Sequence, residues 1–391
     1  MPDESVALPD AALIAAARGA VADPTAAVLS WEARPLGGSW GKATAGLHRV
    51  TGAAASGGRT VRWSVVRKTL APEGNTARAG AAAAAPERPA APDYWRREAL
   101  VYGSGLLDGL PAGVAAPRCY AAEEAAGGTR LWLEDAADAA PGPWGVARHA
   151  LAARHLGRLN GASLTGRPLP AAPWLARGVW RVRHGGADGR AFDELEALRA
   201  HPLVRELWPA GLEARARRAC ADRFRFFAAA DRLPQVFRHG DTVRLNLLGR
   251  RAPDGTEETV LVDWALAGVG AVGDDLCGLV AQALTNRLAP AGPTLEELDA
   301  ACFDAYVAGL RDAGWRGPGA AARLGFCAGA AVRYPLFPLS FERAVTDEAL
   351  RRRLEHAFGR PIETLCRVWV DARRFGLDRA DEARALLAAG P

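Results

Sequence analysis

Hydrophobic and polar positions alternate along much of residues 31–70, a spacing that is typical of β-strands. The clearest strand covers residues 60–68 and follows a turn at Gly57-Gly58. Upstream of it, residues 37–46 are dense in glycine. The pattern therefore predicts a hairpin with a glycine loop, followed by a third strand that ends in a lysine.

Helices and further strands complete the first third of the chain. An alanine-rich stretch, residues 10–22, predicts a helix capped by Asp10, within an N-terminal helical extension of residues 1–30. Residues 71–92 combine an alanine run with several prolines and indicate a loop. A helix is expected from about Asp93. Two strands should follow it, at 118–123 and 129–133.

The rest of the chain is mostly helical, with one β-like island at residues 235–269. The predicted helices cover residues 145–160, 191–198, 211–230, 295–313, 320–333, 347–358 and 361–375. An Ala/Pro/Gly-rich stretch before Pro143 is a suitable connection between domains. We therefore expect an α+β fold with a β-rich lobe over residues 31–134 and a mainly helical lobe over 135–391.

Composition agrees with a folded chain of more than one core. The 391 residues are 49% hydrophobic and 24% charged, and the mass of 41.2 kDa exceeds the usual size of a single core. No apolar run is long enough to cross a membrane, and the N-terminus is acidic where a signal peptide would be basic. Six cysteines lie far apart with no CxxC pair, which favours reduced thiols over disulfides or a zinc site. We expect a cytoplasmic protein that does not bind membranes.

The basic net charge does not indicate a nucleic-acid partner. The chain carries +5 at pH 7, but its arginines are spread along the sequence and do not cluster with stacking aromatic residues. Lys42 and Lys68 are the only lysines among 49 basic residues. A lysine kept in such an arginine-rich chain suggests a site that needs a compact ammonium group, although chance survival remains open.

The island contains the residues that carry chemistry. His239-Gly240-Asp241 is followed by Asn246, a polar turn and an apolar segment that ends in Asp263-Trp264. Two short β segments around a turn should bring Asp241, Asn246 and Asp263 near one another. This order and spacing resemble the catalytic and metal-binding segments of the aminoglycoside phosphotransferase family, small-molecule kinases with a protein-kinase-like fold.

The resemblance implies a role for each part of the site. Asp241 would be the catalytic base, and Asn246 and Asp263 would hold Mg²⁺ against the phosphates of ATP. Lys68 would contact the α- and β-phosphates, with Glu98 fixing its position. The glycine loop would bind phosphate through Gly38, Ser39, Gly41 and Lys42, and the backbone near Glu134 would read the adenine edge.

Several features leave alternatives open. Glu98 could lie on a solvated helix face beside two arginines. Arg244 could neutralise the transferring charge or pair with a carboxylate. Asp275 could cap a helix or brace the loop, and His239 is expected to brace rather than transfer protons. Val243 stands where protein kinases carry a lysine, and no Ala-Pro-Glu triplet occurs, so protein substrates are not expected.

We therefore expect an ATP- and Mg²⁺-dependent phosphotransferase that moves the γ-phosphoryl group to a hydroxyl of a small molecule. The acceptor could be an antibiotic, a sugar or a related metabolite. The alternative is a catalytically silent pseudokinase that binds nucleotide for regulation. No obligate protein partner is evident from the sequence.

Overall fold

The structure is a computed structural model of the chain and describes residues 10–37, 43–72, 87–125, 127–187, 190–281, 292–335 and 339–390. None of the described helices is long and apolar enough to cross a membrane. The chain forms two compact units. The first contains residues 1–139, 170–176 and 248–267, and the second contains residues 140–169, 177–247 and 268–391.

The first unit is built on a five-stranded antiparallel sheet with the strand order β1-β2-β3-β6-β5. Its strands are β1 (Ala27–Pro35), β2 (Thr44–Ser56), β3 (Arg59–Leu70), β5 (Cys119–Ala125) and β6 (Gly128–Glu134). A smaller sheet, in the order β4-β9-β8, joins β4 (Val114–Ala115), β8 (Leu247–Arg251) and β9 (Glu257–Leu261), with β4 and β9 parallel. β8 begins at the last residue of the second unit, so the chain crosses between units there.

Each face of the five-stranded sheet buries its own apolar cluster. Helix α1 (Ala11–Val21) places Leu13 against Val65 and Trp132 on one face. On the other face, Trp95 and Leu131 belong to a second cluster, next to helix α2 (Arg97–Gly103). This sandwiching explains the period-two pattern, because successive strand residues point to opposite faces and both faces are covered.

The second unit is mainly helical. Its helices are α3 (Val146–Ala162), α4 (Val179–His184), α5 (Arg190–Leu198), α6 (Pro202–Leu207), α7 (Ala210–Arg232), α8 (Leu276–Ala281), α9 (Leu295–Asp312), α10 (Gly319–Arg333), α11 (Ser340–Arg343), α12 (Glu348–Phe358) and α13 (Ile362–Ala389). A two-stranded antiparallel ladder joins β7 (Gln235–Arg238) to β10 (Gly268–Ala271). The His-Gly-Asp loop follows β7, and residues 248–267, which precede β10, belong to the first unit.

The element predictions hold with changes at the ends. The capped helix at Asp10 is confirmed, since its side chain accepts the N–H of Leu13 at 2.7 Å. The third strand continues two residues beyond Lys68. Helix α2 begins at Arg97 rather than near Asp93, after successive three-residue turns through Tyr94. Helix α13 runs 14 residues past the predicted end, to Ala389, because its later residues still bury a face of the helix.

Helices α3 and α9 pack with their backbones in close approach. A Cβ on Gly309 would clash with the backbone carbonyl of Arg154, and one on Gly157 would clash with that of Tyr306. Glycine at both positions lets the two helices approach more closely than side chains allow. This close contact supports α3, which also carries Asn160, a residue of the site described below.

Gly309→Ala is expected to destabilise the protein by about 1–3 kcal/mol, because the added methyl group must push the two helix backbones apart. Urea unfolding followed by circular dichroism measures the change. Gly211→Ala is the matched control, since a Cβ there meets nothing within 4 Å. Equal stability of the two variants would contradict the close packing of α3 on α9.

Candidate active site

Lys68 lies between two carboxylates inside the first unit. Its Nζ is 2.5 Å from Oε2 of Glu98 and 2.9 Å from Oδ1 of Asp263. Strand β3 supplies Lys68, in register with Leu47 of β2 and Leu131 of β6, and the first turn of α2 supplies Glu98. Only 1% of the Glu98 surface is exposed, so the interpretation of a solvated helix face is wrong.

The charges in this cluster depend on one another. Burial alone lowers the pKa of Lys68, but the carboxylates of Asp263 and Glu98 more than offset it, so the pKa is raised. Burial raises the pKa of Glu98, and the opposing effects of Lys68 and the backbone of Trp264 do not fully cancel it. The ammonium group is therefore firmly charged and fixed in position.

Asp263 takes its position from an unusual backbone conformation. Its φ of 62° and ψ of 69° lie in the left-handed region, which aspartate adopts more readily than most residues. It starts a 3₁₀ turn, Trp264–Leu266, in which the buried indole of Trp264 donates to the carbonyl of Leu261 at 2.9 Å. The Asp263 side chain is 30% exposed. One end of the carboxylate thus meets Lys68 while part of it remains open to a ligand.

Arg97 is a structural residue that the sequence interpretation missed. It is fully buried and donates to five backbone carbonyls, those of Pro89, Ala91, Pro92, Trp174 and Ala265. The bond to Ala265 is 2.9 Å long and joins helix α2 to the turn that begins at Asp263. Arg97 thereby fixes Glu98 and Asp263 relative to each other. Nothing in an arginine-rich sequence distinguishes this arginine from its neighbour Arg96.

In the second unit, the carboxylate of Asp275 organises the His-Gly-Asp loop. It accepts the backbone N–H groups of His239 at 3.1 Å and Gly240 at 2.9 Å, and the side-chain amide of Asn160 at 3.1 Å. Asn160 in turn accepts the hydroxyl of Tyr306 at 2.7 Å. Of the two roles left open for Asp275, the brace is the one observed. An asparagine inside a helix, where it is disfavoured, was the available signal for Asn160.

Asp241, which follows the two braced residues, is in contact with Asn246. The Nδ2 of Asn246 donates to the backbone carbonyl of Asp241 at 3.0 Å and to its Oδ2 at 3.1 Å. The amide is therefore oriented so that Oδ1 is its remaining polar atom. His239 is fully buried, and its Nδ1 accepts the N–H of Asp241 at 3.3 Å. Of the three residues that the island was expected to gather, Asp241 and Asn246 belong to the second unit and Asp263 to the first.

Arg244 contacts backbone carbonyls and an aromatic ring. Its guanidinium donates to the carbonyls of Leu247 at 2.8 Å, Ala140 at 2.9 Å and Gly142 at 3.0 Å, and it lies 4.0 Å from the centre of the Trp144 ring. Arg244 thus links the segment at residues 140–142 to the turn that contains Asn246.

The structure describes only part of the two segments that were expected to bind the phosphates and the adenine ring. Gly38, Ser39, Gly41 and Lys42 lie outside the described residues. The backbone N–H of Glu134 donates to the carbonyl of Arg118 at 2.8 Å, and its side chain contacts Arg250 at 3.1 Å. That N–H is already used within the protein, so an adenine ring would have to be read by other backbone groups near Glu134.

Comparison with solved structures identifies the fold. An aminoglycoside phosphotransferase from Alicyclobacillus acidocaldarius aligns over 91% of this chain and 92% of its own, with a TM-score of 0.52 and 13% identity. A choline kinase from Cryptosporidium parvum aligns over 92% of this chain and 90% of its own (TM-score 0.45, 8% identity). An aminoglycoside phosphotransferase from Streptomyces rimosus covers 77% of this chain and 92% of its own (TM-score 0.39, 17% identity).

The fold is that of the aminoglycoside phosphotransferases, which confirms the α+β, kinase-like fold predicted from the sequence. No protein-family model matches the sequence, and no curated protein matches it either. The structural likeness at 13% identity establishes the fold alone. Function must be argued from the site.

Asp275→Asn is expected to destabilise the protein by roughly 1–3 kcal/mol, because an amide NH₂ would face backbone N–H groups that now have an acceptor. Urea unfolding measures the loss, and hydrogen exchange at His239 and Gly240 should become faster. The exposed Asp254→Asn is the control. If both variants exchange these amides at the wild-type rate, Asp275 does not brace the loop.

Proposed function

We propose that the protein is an ATP-dependent phosphotransferase that moves the γ-phosphoryl group to a hydroxyl of a small molecule. The observation that carries the proposal is Lys68, buried between Glu98 and Asp263. Burying Lys68 and Glu98 costs free energy that apolar residues of similar size would not require. Such a cluster is expected where a fixed positive charge must meet a polyanionic ligand.

In the proposed reaction, Lys68 contacts the α- and β-phosphates and Glu98 prevents the lysine from turning away. Asp241 accepts the proton of the attacking hydroxyl and orients it, while Asn246 holds the Asp241 carboxylate through its amide. Phosphoryl transfer through a loose transition state requires alignment and charge neutralisation more than covalent chemistry. These residues supply both.

The side chains proposed for the metal are chemically suited to it. Asn246 and Asp263 offer amide and carboxylate oxygens, the hard ligands that Mg²⁺ prefers. The partly exposed carboxylate of Asp263 and the orientation of the Asn246 amide agree with this assignment. Bound Mg²⁺ would neutralise phosphate charge.

The remaining parts of the proposal follow from the fold and the thiols. The likeness to an aminoglycoside phosphotransferase supports a small hydroxylated acceptor. Gly38, Ser39, Gly41 and Lys42 are proposed to bind phosphate, and the backbone near Glu134 to hold the base. All six cysteines are free, which agrees with the reducing cytoplasm as the compartment.

Asp241→Asn is expected to leave Mg-ATP binding unchanged and to lower turnover by about 10²–10⁴-fold, since the amide cannot accept the proton. Isotopically labelled ATP, Mg²⁺ and a fractionated library of metabolites and antibiotics provide the assay. Mass spectrometry should find a labelled phosphoester with the wild type and not with the variant. Mg-ATP binding without transfer to any acceptor would favour a nucleotide-binding pseudokinase, and no nucleotide binding would refute the proposal.

Lys68→Arg is expected to lower the affinity for Mg-ATP at least about tenfold although the charge is kept, because the larger planar guanidinium does not fit between Glu98 and Asp263. Isothermal titration calorimetry measures the affinity. Arg62→Lys, at an exposed position of the same strand, is the control. Wild-type affinity in Lys68→Arg would show that this position does not require a lysine.

A further inference from the structure

Arg333 is a buried arginine of the second unit that forms no ion pair with any described residue. It is the last residue of α10, and only 3% of its surface is exposed. Its guanidinium lies 3.8 Å from the centre of the Trp180 ring, a close cation–π contact. Among the residues that the structure describes, no carboxylate forms an ion pair with Arg333, and its Nε has no hydrogen-bond partner.

Arg238, Arg244 and Arg373 also have an unsatisfied Nε, but each of these arginines, like Arg97, has a carbonyl or carboxylate partner. Arg97 and Arg244 donate to several backbone carbonyls. Arg238 pairs with Asp274 at 3.2 Å, and Arg373 pairs with Glu342 at 3.3 Å. A buried guanidinium without such partners is costly, because the lost hydration is not replaced. Within the described residues, Arg333 therefore lacks the ion pair or carbonyl bonds that the other buried arginines have.

Two more polar atoms beside Arg333 are also unsatisfied. The indole Nε1 of Trp180 and the Nε2 of His184 are buried without a hydrogen-bond partner in the described part of the chain. The two rings stack, with centroids 5.8 Å apart and 10° between their planes. Burial, together with the charges of Arg183 and Arg333, lowers the pKa of His184 to about 4, so the imidazole is neutral at pH 7.

Buried polar groups in folded proteins nearly always have a partner. Three such nitrogens, Arg333 Nε, Trp180 Nε1 and His184 Nε2, occur around the Trp180 ring. An arginine and a tryptophan can only donate hydrogen bonds, and a neutral imidazole can present its N–H here. All three nitrogens can donate a hydrogen bond, and the guanidinium of Arg333 is positively charged. The group that fits them is therefore a hydrogen-bond acceptor with negative charge.

Packing places helix α10, which ends at Arg333, next to the Asp274-Asp275 segment that braces the His-Gly-Asp loop. Helix α10 lies against the segment that holds the loop, since a Cβ on Gly329 would be 2.8 Å from Oδ1 of Asp274. The residue after Arg333, Tyr334, donates its hydroxyl to the carbonyl of Cys277 at 2.7 Å. Burial lowers the pKa of Arg333, and the side chains of Cys277, Tyr334, Asp274 and Asp241, in that order, more than offset it.

We propose that Arg333, with Trp180 and His184, binds a carboxylate or phosphate group of the acceptor whose hydroxyl is presented to Asp241. The proposal rests on the phosphotransferase function and adds the substrate class: hydroxylated small molecules that carry an anionic group. The guanidinium fork binds the two oxygens of such a group in one plane. A polycationic acceptor would meet a buried like charge and be rejected.

The test uses the indole N–H of Trp180 as a local reporter. Wild-type protein labelled with ¹⁵N-tryptophan is titrated with inorganic phosphate, D-gluconate, D-glucitol and D-glucosamine, and the Trp180 signal is assigned with Trp180→Phe. The two anions should shift this signal saturably, and the neutral polyol and the amine should not. Absence of a saturable shift with both anions would overturn the proposal.

Variants separate binding by Arg333 from a general effect of charge. Arg333→Gln should weaken the anion response at least about tenfold, and Arg333→Lys should keep part of it because a point charge remains. Arg353→Gln, on an exposed face of α12, removes the same charge elsewhere and should change nothing. If Arg333→Gln does not fold, the lysine variant decides. An unchanged response in Arg333→Lys would contradict bidentate binding.

Mg-ATP titration of the same samples distinguishes the two proposals. Anion binding that depends on Arg333, without any Mg-ATP binding, would leave this site standing and refute the phosphotransferase function. Transfer to neutral or cationic acceptors with kcat/KM unchanged in Arg333→Gln would refute the anionic substrate class alone. Transfer to an anionic acceptor, with KM raised at least about tenfold in Arg333→Gln, is the expected result.

Discussion

The ammonium group of Lys68 is buried, and its burial is stable only because the carboxylates of Glu98 and Asp263 both form ion pairs with it. Each carboxylate comes from a different part of the first unit, one from helix α2 and one from the turn after β9. Removing Lys68 would leave the two carboxylates next to each other without a cation. The five-stranded sheet, the start of α2 and the left-handed backbone at Asp263 therefore have to form together.

The second unit uses the opposite sign of charge for a similar purpose. There, the buried carboxylate of Asp275 collects donors from the His-Gly-Asp loop and from Asn160. Two buried arginines, Arg97 in the first unit and Arg244 in the second, donate hydrogen bonds to backbone carbonyls. In each case a buried charged group with several hydrogen-bond partners fixes irregular backbone that no helix or strand ladder could hold. Arg333 stands out because it departs from this rule.

The hydrophobic periodicity of the sequence predicted whether a segment is a helix or a strand. Where each element begins and ends depends on its packing in the folded protein. The sequence pattern located α1, the long strand β3 and most helices of the second unit, since their apolar spacing reflects which side is buried. It placed the start of α2 too early, because the turns through Tyr94 precede the helix. It ended α13 too soon, because only the neighbouring helices make the last part of α13 a buried element.

The sequence by itself determined which chemistry is present: a rare lysine on a strand, a carboxylate on the next helix, and Asp241, Asn246 and Asp263 at fixed spacing. These are local facts, because residue type and order along the chain are enough to state them. Tertiary structure alone decided that Glu98 is buried against Lys68, that Arg244 binds carbonyls, and that Arg97 and Asp275 hold the site. Those roles depend on partners as far as 168 residues away along the chain, whose approach is set by packing rather than by sequence spacing.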